Sequence, residues 1–157
     1  MRVSVIGAAG YAGAELVRLL LRHPEVHIDV LTSETFAGQR ICEVYRELQS
    51  DIQLRALELE AIDSPLVFTA LPHGKSAAVV GRLVDEGKRV IDFSADFRLR
   101  SVSAYESWYG AHPRKDLLDE AVYGLPELHR TAIAAGRLIA NPGCYPTGAL
   151  LALAPID

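Results

Sequence analysis

Short apolar runs alternate along this chain with longer segments whose apolar residues recur every third or fourth position. Val3-Ser4-Val5-Ile6 is the first run, and its composition predicts a buried strand. A glycine-rich turn, Gly7 to Gly13, follows it. Beyond the turn, Leu16, Leu19 and Leu20 give the stretch from Ala14 to Leu21 the apolar side of a helix. His27 to Leu31 predicts a second strand. The polar segment from Ser33 to Asp51 carries Ile41, Val44, Tyr45 and Leu48 at helical spacing, and Gln53 to Leu57 has the pattern of a short strand. Leu66 to Leu71 is apolar almost throughout, as expected of a central parallel strand covered on both faces. A helix from Ser76 to Glu86, stopped by Gly87, precedes a strand from Arg89 to Phe93. Arg137 to Ala140 predicts the last strand, and Thr147 to Ile156 reads as an apolar helix.

Between these last elements the pattern weakens. From Leu99 to Thr131 the notable feature is a crowd of Tyr105, Trp108 and Tyr109 beside His112 and Pro113. Aromatic crowding in a long connection suits the sealing of a domain edge or an interface. Tyr123-Gly124-Leu125-Pro126-Glu127 reads as a turn before a short helix. The alternation as a whole predicts an α/β fold: a doubly wound, mostly parallel sheet with helices on both faces and ligands at the carboxyl ends of the strands.

Composition narrows the function classes. The chain has 157 residues, half of them apolar, which suits one compact domain with a real core. A net charge of −4, with Lys and Arg scattered, provides no basic stripe for nucleic acid. No apolar run approaches the length of a bilayer span, and the N-terminus enters a strand without the pattern of a signal peptide. A cytoplasmic, soluble protein is the expectation. Cys42 and Cys144 are too few for a disulfide framework, and a reducing compartment suits a working thiol. His23, His27, His112 and His129 lack metal-ligand spacing and are expected at the surface or in caps, so no metal site is expected. His73 differs, because it follows a central strand at the ligand rim.

That rim collects the candidate chemistry. Gly7, Gly10 and Gly13, with Ala9, Tyr11 and Ala12 among them, form a Gly-x-x-Gly-x-x-Gly turn between strand and helix. Glycines there permit a tight turn and close approach of a pyrophosphate, whose charge the helix N-terminus meets. A strand–helix turn without a ligand is the alternative. The residue that reads the cofactor ribose belongs at the end of the second strand, where Thr32 and Ser33 stand. Their hydroxyls can donate to a 2′-phosphate, and Arg40 could add positive charge, so NADP is preferred over NAD. A one-residue shift in register would instead bring Glu34 to the ribose.

Asn141-Pro142-Gly143-Cys144-Tyr145-Pro146-Thr147 places a thiol where a strand turns into a helix. Unpaired backbone N–H groups and the positive end of the helix dipole favour thiolate over thiol there. Such a thiolate can carry covalent acyl chemistry. A buried, inert cysteine is the alternative.

In this order, Gly7 to Gly13, Leu71-Pro72-His73-Gly74, Ser94-Ala95-Asp96-Phe97-Arg98-Leu99, Tyr123 to Glu127 and Asn141 to Thr147 resemble the N-acetyl-gamma-glutamyl-phosphate reductase family of arginine biosynthesis. The likeness covers essentially the whole chain. Its most specific part is the cysteine segment, running on through Gly148 and Leu150 to Pro155. It implies a Rossmann-type domain and NADPH-dependent reduction of an acyl phosphate to an aldehyde, the reverse of a phosphorylating aldehyde dehydrogenase. Aspartate-semialdehyde dehydrogenase and, more distantly, glyceraldehyde-3-phosphate dehydrogenase share this logic.

By that resemblance Cys144 would attack the acyl carbon and expel phosphate, leaving a thioester that hydride reduces to N-acetylglutamate semialdehyde. Arg98 would hold the substrate phosphate bidentately, unless it forms an ion pair with Asp96 or Asp92. Leu71, Pro72, His73, Gly74 and Ser94 would lie against the cofactor, with His73 a contact or structural residue rather than the proton donor. The related acyl phosphates of aminoadipate and aspartate, or a catalytically silent NADP-binding module, remain alternatives. The family's chain is much longer, and its second half supplies a substrate and dimerisation domain with an acid/base histidine. Residues 1–157 are therefore expected to be the NADP-binding domain, ending just after the cysteine helix. Alone, it should bind NADP(H), turn over poorly, and be free to remain monomeric although the family is usually oligomeric.

Overall fold

The computed structural model describes residues 1–156. Seven strands, β1 (Arg2–Ile6), β2 (His27–Thr32), β3 (Leu54–Arg55), β4 (Leu66–Thr69), β5 (Arg89–Asp92), β6 (Val122–Tyr123) and β7 (Leu138–Ala140), form one sheet. Its order is β3-β2-β1-β4-β5-β7-β6, and every pair in it is parallel. Chain direction across the sheet reverses between β1 and β4, which opens a crevice at that point. The doubly wound α/β architecture expected from the alternating pattern is the one observed.

Period-two side-chain alternation builds a core on each face. From β1, Val3 and Val5 point to one face, where they meet Leu66 and Phe68 of β4 and Val17 and Leu20 of α1 (Tyr11–Leu20). Ile6 and Val67 point the other way, into a cluster with Val90, Leu138 and the apolar stripe Ala77, Val80, Leu83 and Val84 of α3 (Ser76–Asp85). β4 is buried at all four positions, as its unbroken apolar run requires.

Helix α1 corrects one expectation. Its inward face is Gly13, Ala14, Val17 and Leu20, whereas Leu19 is exposed and Leu16 only half-buried. Leu20 faces inward as expected, but the stripe at i, i+4 and i+7 starts from Gly13, because the close approach of α1 to the Gly7–Ala8 turn leaves room there only for a small residue.

Other boundaries also move. Between Ser33 and Asp51 only one turn, α2 (Ile41–Val44), is helical; Ile41 and Leu48 are buried, while Val44 and Tyr45 pack at the core's margin. The less regular stretch contains α4 (Val102–Tyr109), capped by Ser101 Oγ accepting from Ala104 N–H at 3.2 Å. It also contains edge strand β6, whose second residue, Tyr123, is expected in a turn, ahead of α5 (Pro126–Ala135). The last helix, α6 (Cys144–Leu153), starts three residues before Thr147. Pro146 does not prevent this, because first-turn residues have no intrahelical acceptor for an N–H. Among the described residues no helix is long and apolar enough to cross a membrane, and no group of His, Cys, Asp and Glu side chains could hold a metal ion.

Candidate active site

The strands end together. Ile6, Thr69, Asp92, Ala140 and Tyr123 are successive register partners across β1, β4, β5, β7 and β6. One residue further on the ladder still holds: Ala70 N–H donates to Ile6 O, Phe93 N–H to Thr69 O and Asn141 N–H to Asp92 O, each at 2.8 Å, and Gly124 N–H to Ala140 O at 2.9 Å. The glycine turn, the His73 loop, the Ser94–Arg98 loop and the cysteine turn therefore leave one edge, each fixed up to its first free residue.

At the glycine turn, Gly7 has φ +82°, and a Cβ there would lie 2.5 Å from Ala70 O. A Cβ on Gly13 would lie 2.2 Å from Gly7 O, so this residue sets how closely α1 packs on the turn. Gly10 caps α1 without a side chain and leaves the first-turn amides of Tyr11, Ala12 and Gly13 without intrahelical acceptors. Tyr45 braces the turn from outside, its hydroxyl donating to Ala9 O at 2.9 Å. Replacing Gly13 by Ala should destabilise the protein by about 1–3 kcal/mol through overpacking against backbone. Urea unfolding would show it as a lowered midpoint; an unchanged midpoint would mean that the turn yields freely.

A cavity of about 80 Å³ opens at the crevice, lined by Gly7, Ala9, Gly10, Thr32, Ser33, Glu34, Leu57 and Leu71, with Ile6 at its floor. Six of the residues expected to meet a dinucleotide are thus together, whereas Tyr11, Ala12, Gly13, Arg40, Pro72, His73, Gly74 and Ser94 are not on this wall. Thr32 Oγ1 accepts from Gly7 N–H and Ser33 Oγ from Phe36 N–H, both at 3.2 Å, leaving each hydroxyl proton available. Arg40 is held by Glu43 and Asp51. Leu57 escaped the sequence reading because nothing in its local pattern shows that it folds back over β2.

Beneath the rim lies a polar hub that the sequence reading missed. Asp92, fully buried, accepts from Thr69 Oγ1 at 2.7 Å, Ser76 Oγ at 2.6 Å and Ser94 Oγ at 2.5 Å. Asp96, also fully buried, accepts from the N–H groups of Gly74 and Ala77 at 2.8 and 2.9 Å and from Tyr105 Oη at 2.9 Å. It thus caps α3 from another loop, where the helix dipole favours a carboxylate. A charged residue ending an apolar strand, as Asp92 ends Val90-Ile91, was the available signal. Ser94 belongs to this hub and is itself buried.

The aromatic crowd divides around the hub. Tyr105 is buried and stacks on Tyr109 with ring centroids 5.0 Å apart, while Trp108 is exposed. His112 corrects a surface expectation: it is 3% exposed, with Nδ1 accepting from Arg114 N–H at 3.0 Å, so Nε2 donates to Asp96 O at 2.8 Å. His73 Nδ1 likewise accepts from Ala95 N–H at 2.9 Å, tying two rim loops together. Burial, and then the hydrogen bond to Asp96, raises the Tyr105 pKa well above the ordinary phenol value. The folded state thus holds this proton more tightly than the unfolded chain. Its contribution is full below the unfolded value, about 10, and is lost as pH rises beyond it. Denaturation across that range should show a steeper loss of stability for this protein than for Tyr105→Phe; parallel curves would refute the linkage.

Cys144 is exposed and opens α6, next to Gly143, which caps without a side chain. Gly143 O accepts from both Thr147 N–H at 3.0 Å and Thr147 Oγ1 at 2.8 Å, which fixes the first turn. The N–H groups of Cys144 and Tyr145, at the start of α6, have no intrahelical acceptor. Being exposed, the thiol is not the buried one of the alternative. Nor does Arg98 form the ion pair suggested for it: its Nε donates to Asn141 O at 2.8 Å and its Nη2 to Phe93 O at 2.7 Å. Asp92 and Asp96 are engaged by hydroxyl and amide donors instead.

Comparison with known proteins agrees with this layout. Residues 2–136 match the family described as semialdehyde dehydrogenase, NAD binding domain, a span that ends before the cysteine turn. The N-acetyl-gamma-glutamyl-phosphate reductase of Acetivibrio thermocellus is 49% identical over 98% of this chain and 46% of its own length. That of Heliobacterium modesticaldum is 50% identical over 99% and 46%. The chain thus spans about half the length of these curated relatives. Among solved structures, aspartate semialdehyde dehydrogenase II of Vibrio cholerae, complexed with ASA, superposes with a TM-score of 0.71 at 24% identity, covering 99% of this chain and 45% of that one. Aspartate semialdehyde dehydrogenase of Candida albicans, with NADP, gives 0.65 at 18% identity, covering 99% and 46%. These structural likenesses speak to the fold, and the match over residues 2–136 to descent: the chain belongs to the semialdehyde dehydrogenase NAD binding domain family.

Proposed function

We propose that this chain is the cofactor-binding and nucleophile-bearing part of an N-acetyl-gamma-glutamyl-phosphate reductase. One observation carries the reading: a glycine-turn crevice and an exposed cysteine at a helix N-terminus leave the same edge of one parallel sheet. The name borne by relatives 49–50% identical supplies the substrate.

Gly7, Gly10 and the free amides of α1 would take the pyrophosphate, since backbone there can approach an anion closely. Thr32 and Ser33, on the cavity wall with hydroxyl protons free, would donate to a 2′-phosphate. NADP, with which the Candida albicans enzyme was solved, is accordingly preferred. When bound, the dinucleotide supplies hydride for reduction at the acyl carbon.

Cys144 Sγ attacks the carbonyl carbon of the acyl phosphate. The new C–S bond replaces the C–O bond to phosphate, which leaves with its electron pair. Backbone N–H groups at the start of α6 would donate to the negative charge that develops on the carbonyl oxygen. The departing phosphate takes up a proton from solvent; after reduction the hemithioacetal oxyanion collapses to the aldehyde and returns Cys144 as thiolate, while His73 is tied through Nδ1 to the rim.

Titration calorimetry should find NADP(H) bound more tightly than NAD(H). Equal or stronger NAD binding would mean that Glu34, also on the cavity wall, reads the ribose. For the activity, the full-length protein should reduce NADP when given N-acetylglutamate semialdehyde and phosphate. Turnover with aspartate semialdehyde instead would move the assignment to the related acyl phosphate.

A further inference from the structure

Arg98 stands off a loop with little freedom. Asp96, two residues before it, is pinned by Gly74, Ala77 and Tyr105, and Arg98 N–H closes a turn onto Ala95 O at 3.2 Å. The guanidinium then reaches across to the next strand. Nε donates to Asn141 O and Nη2 to Phe93 O, while Nη1 lies 3.0 Å from where a Cβ on Gly143 would be. Phe93 and Asn141 are the first residues beyond β5 and β7, at the point where both chains leave the sheet. Asn141 is thus held through its N–H by Asp92 O and through its carbonyl by Arg98.

We propose that Arg98 is the positioning residue of the cysteine turn, a two-carbonyl clamp that holds Asn141–Gly143 so that Cys144 opens α6 in one orientation. The proposal rests on Cys144 being the nucleophile. It differs from the phosphate contact suggested by the sequence, because the Nε–Nη2 edge is committed to backbone carbonyls. Only the edge carrying Nη1 faces outward. The planar fork matters: an ammonium reaches one carbonyl, not both in fixed geometry.

The test compares this chain with Arg98→Met and Arg98→Lys, using amide hydrogen exchange and alkylation by iodoacetamide, with Cys144 and Cys42 resolved by peptide mass. The protected amides of the turn, Asn141 and Thr147, should exchange roughly tenfold faster in Arg98→Met for each charged hydrogen bond that restrains them. Amides of the Gly7–Ala14 turn should not change. Alkylation of Cys144 at neutral pH should slow several-fold while Cys42 stays constant, and Lys should recover part of both effects. A folded Arg98→Met variant with unchanged exchange at Asn141 and Thr147 overturns the proposal. If that variant does not fold, Arg98→Lys decides, and wild-type behaviour there overturns the proposal equally. Should Cys144 of the unmodified chain react no faster than Cys42, the nucleophile reading fails. The exchange result would still decide whether Arg98 clamps the turn.

Discussion

Cys144→Ala, made in a protein of the full length typical of the relatives, should abolish turnover, with a loss of at least about four orders of magnitude in kcat. On the proposed mechanism the thiol forms the covalent acyl intermediate, so alanine removes the attacking atom. NADP(H) affinity should stay within about twofold, because the cavity wall is built from the ends of β1, β2 and β4 and does not include Cys144. Initial rates and calorimetry on the same preparation separate the two quantities. Residual activity near the wild-type level would show that acyl transfer does not pass through this sulfur. A parallel loss of cofactor affinity would show that the two sites are not independent.

Asp96→Ala should produce the largest loss of stability. The substitution leaves Ala77 N–H and the Tyr105 hydroxyl without their acceptor in a region closed to water, and Gly74 N–H without its acceptor at the exposed margin. It also removes the cap of α3 and opens a void. Unmet buried donors and a lost charged acceptor together cost about 3–5 kcal/mol. For a domain of this size that is a fall in Tm of about 10 °C. Asp96→Asn keeps the volume but offers one acceptor oxygen instead of two, so it should recover only part of the loss. Calorimetry of the three proteins tests the ranking. If Asn equals Asp, one carbonyl oxygen suffices and the charge contributes nothing.

The parts of this molecule legible in its sequence are those where local chemistry has one solution. Gly7 and Gly13 could be assigned because positive φ and sub-van-der-Waals backbone approach leave no other residue possible. The run Leu66–Thr69 could be assigned because a strand buried on both faces has no polar alternation to show. Cys144 was legible from the turn residues before it. The side-chain partners of the rim were not. Asp92 and Asp96, Ser76 and Tyr105 come from three separate segments, and nothing in any one segment signals the others. Arg98 invited a carboxylate partner by sequence proximity, yet its bonds are to carbonyls at the ends of two strands. Leu19 was misplaced for a similar reason: hydrophobicity marked it as core, while packing at Gly13 and Ala14 decided which stripe faces the sheet.

The register of the strand ends acts as a ruler. β1, which carries the glycine turn, and β7, which carries the cysteine turn, are three places apart in the sheet. Neighbouring strands lie about 4.8 Å apart, so the two turns are separated by roughly 14 Å whatever the length of the connections between them. The long excursion through α4, β6 and α5 can therefore grow, shrink or exchange its aromatic cover without altering the span from anion cradle to sulfur. Only insertion or loss of a whole strand would change it, and then by a full step. Divergence in this domain is thus free in its loops and quantised across its sheet.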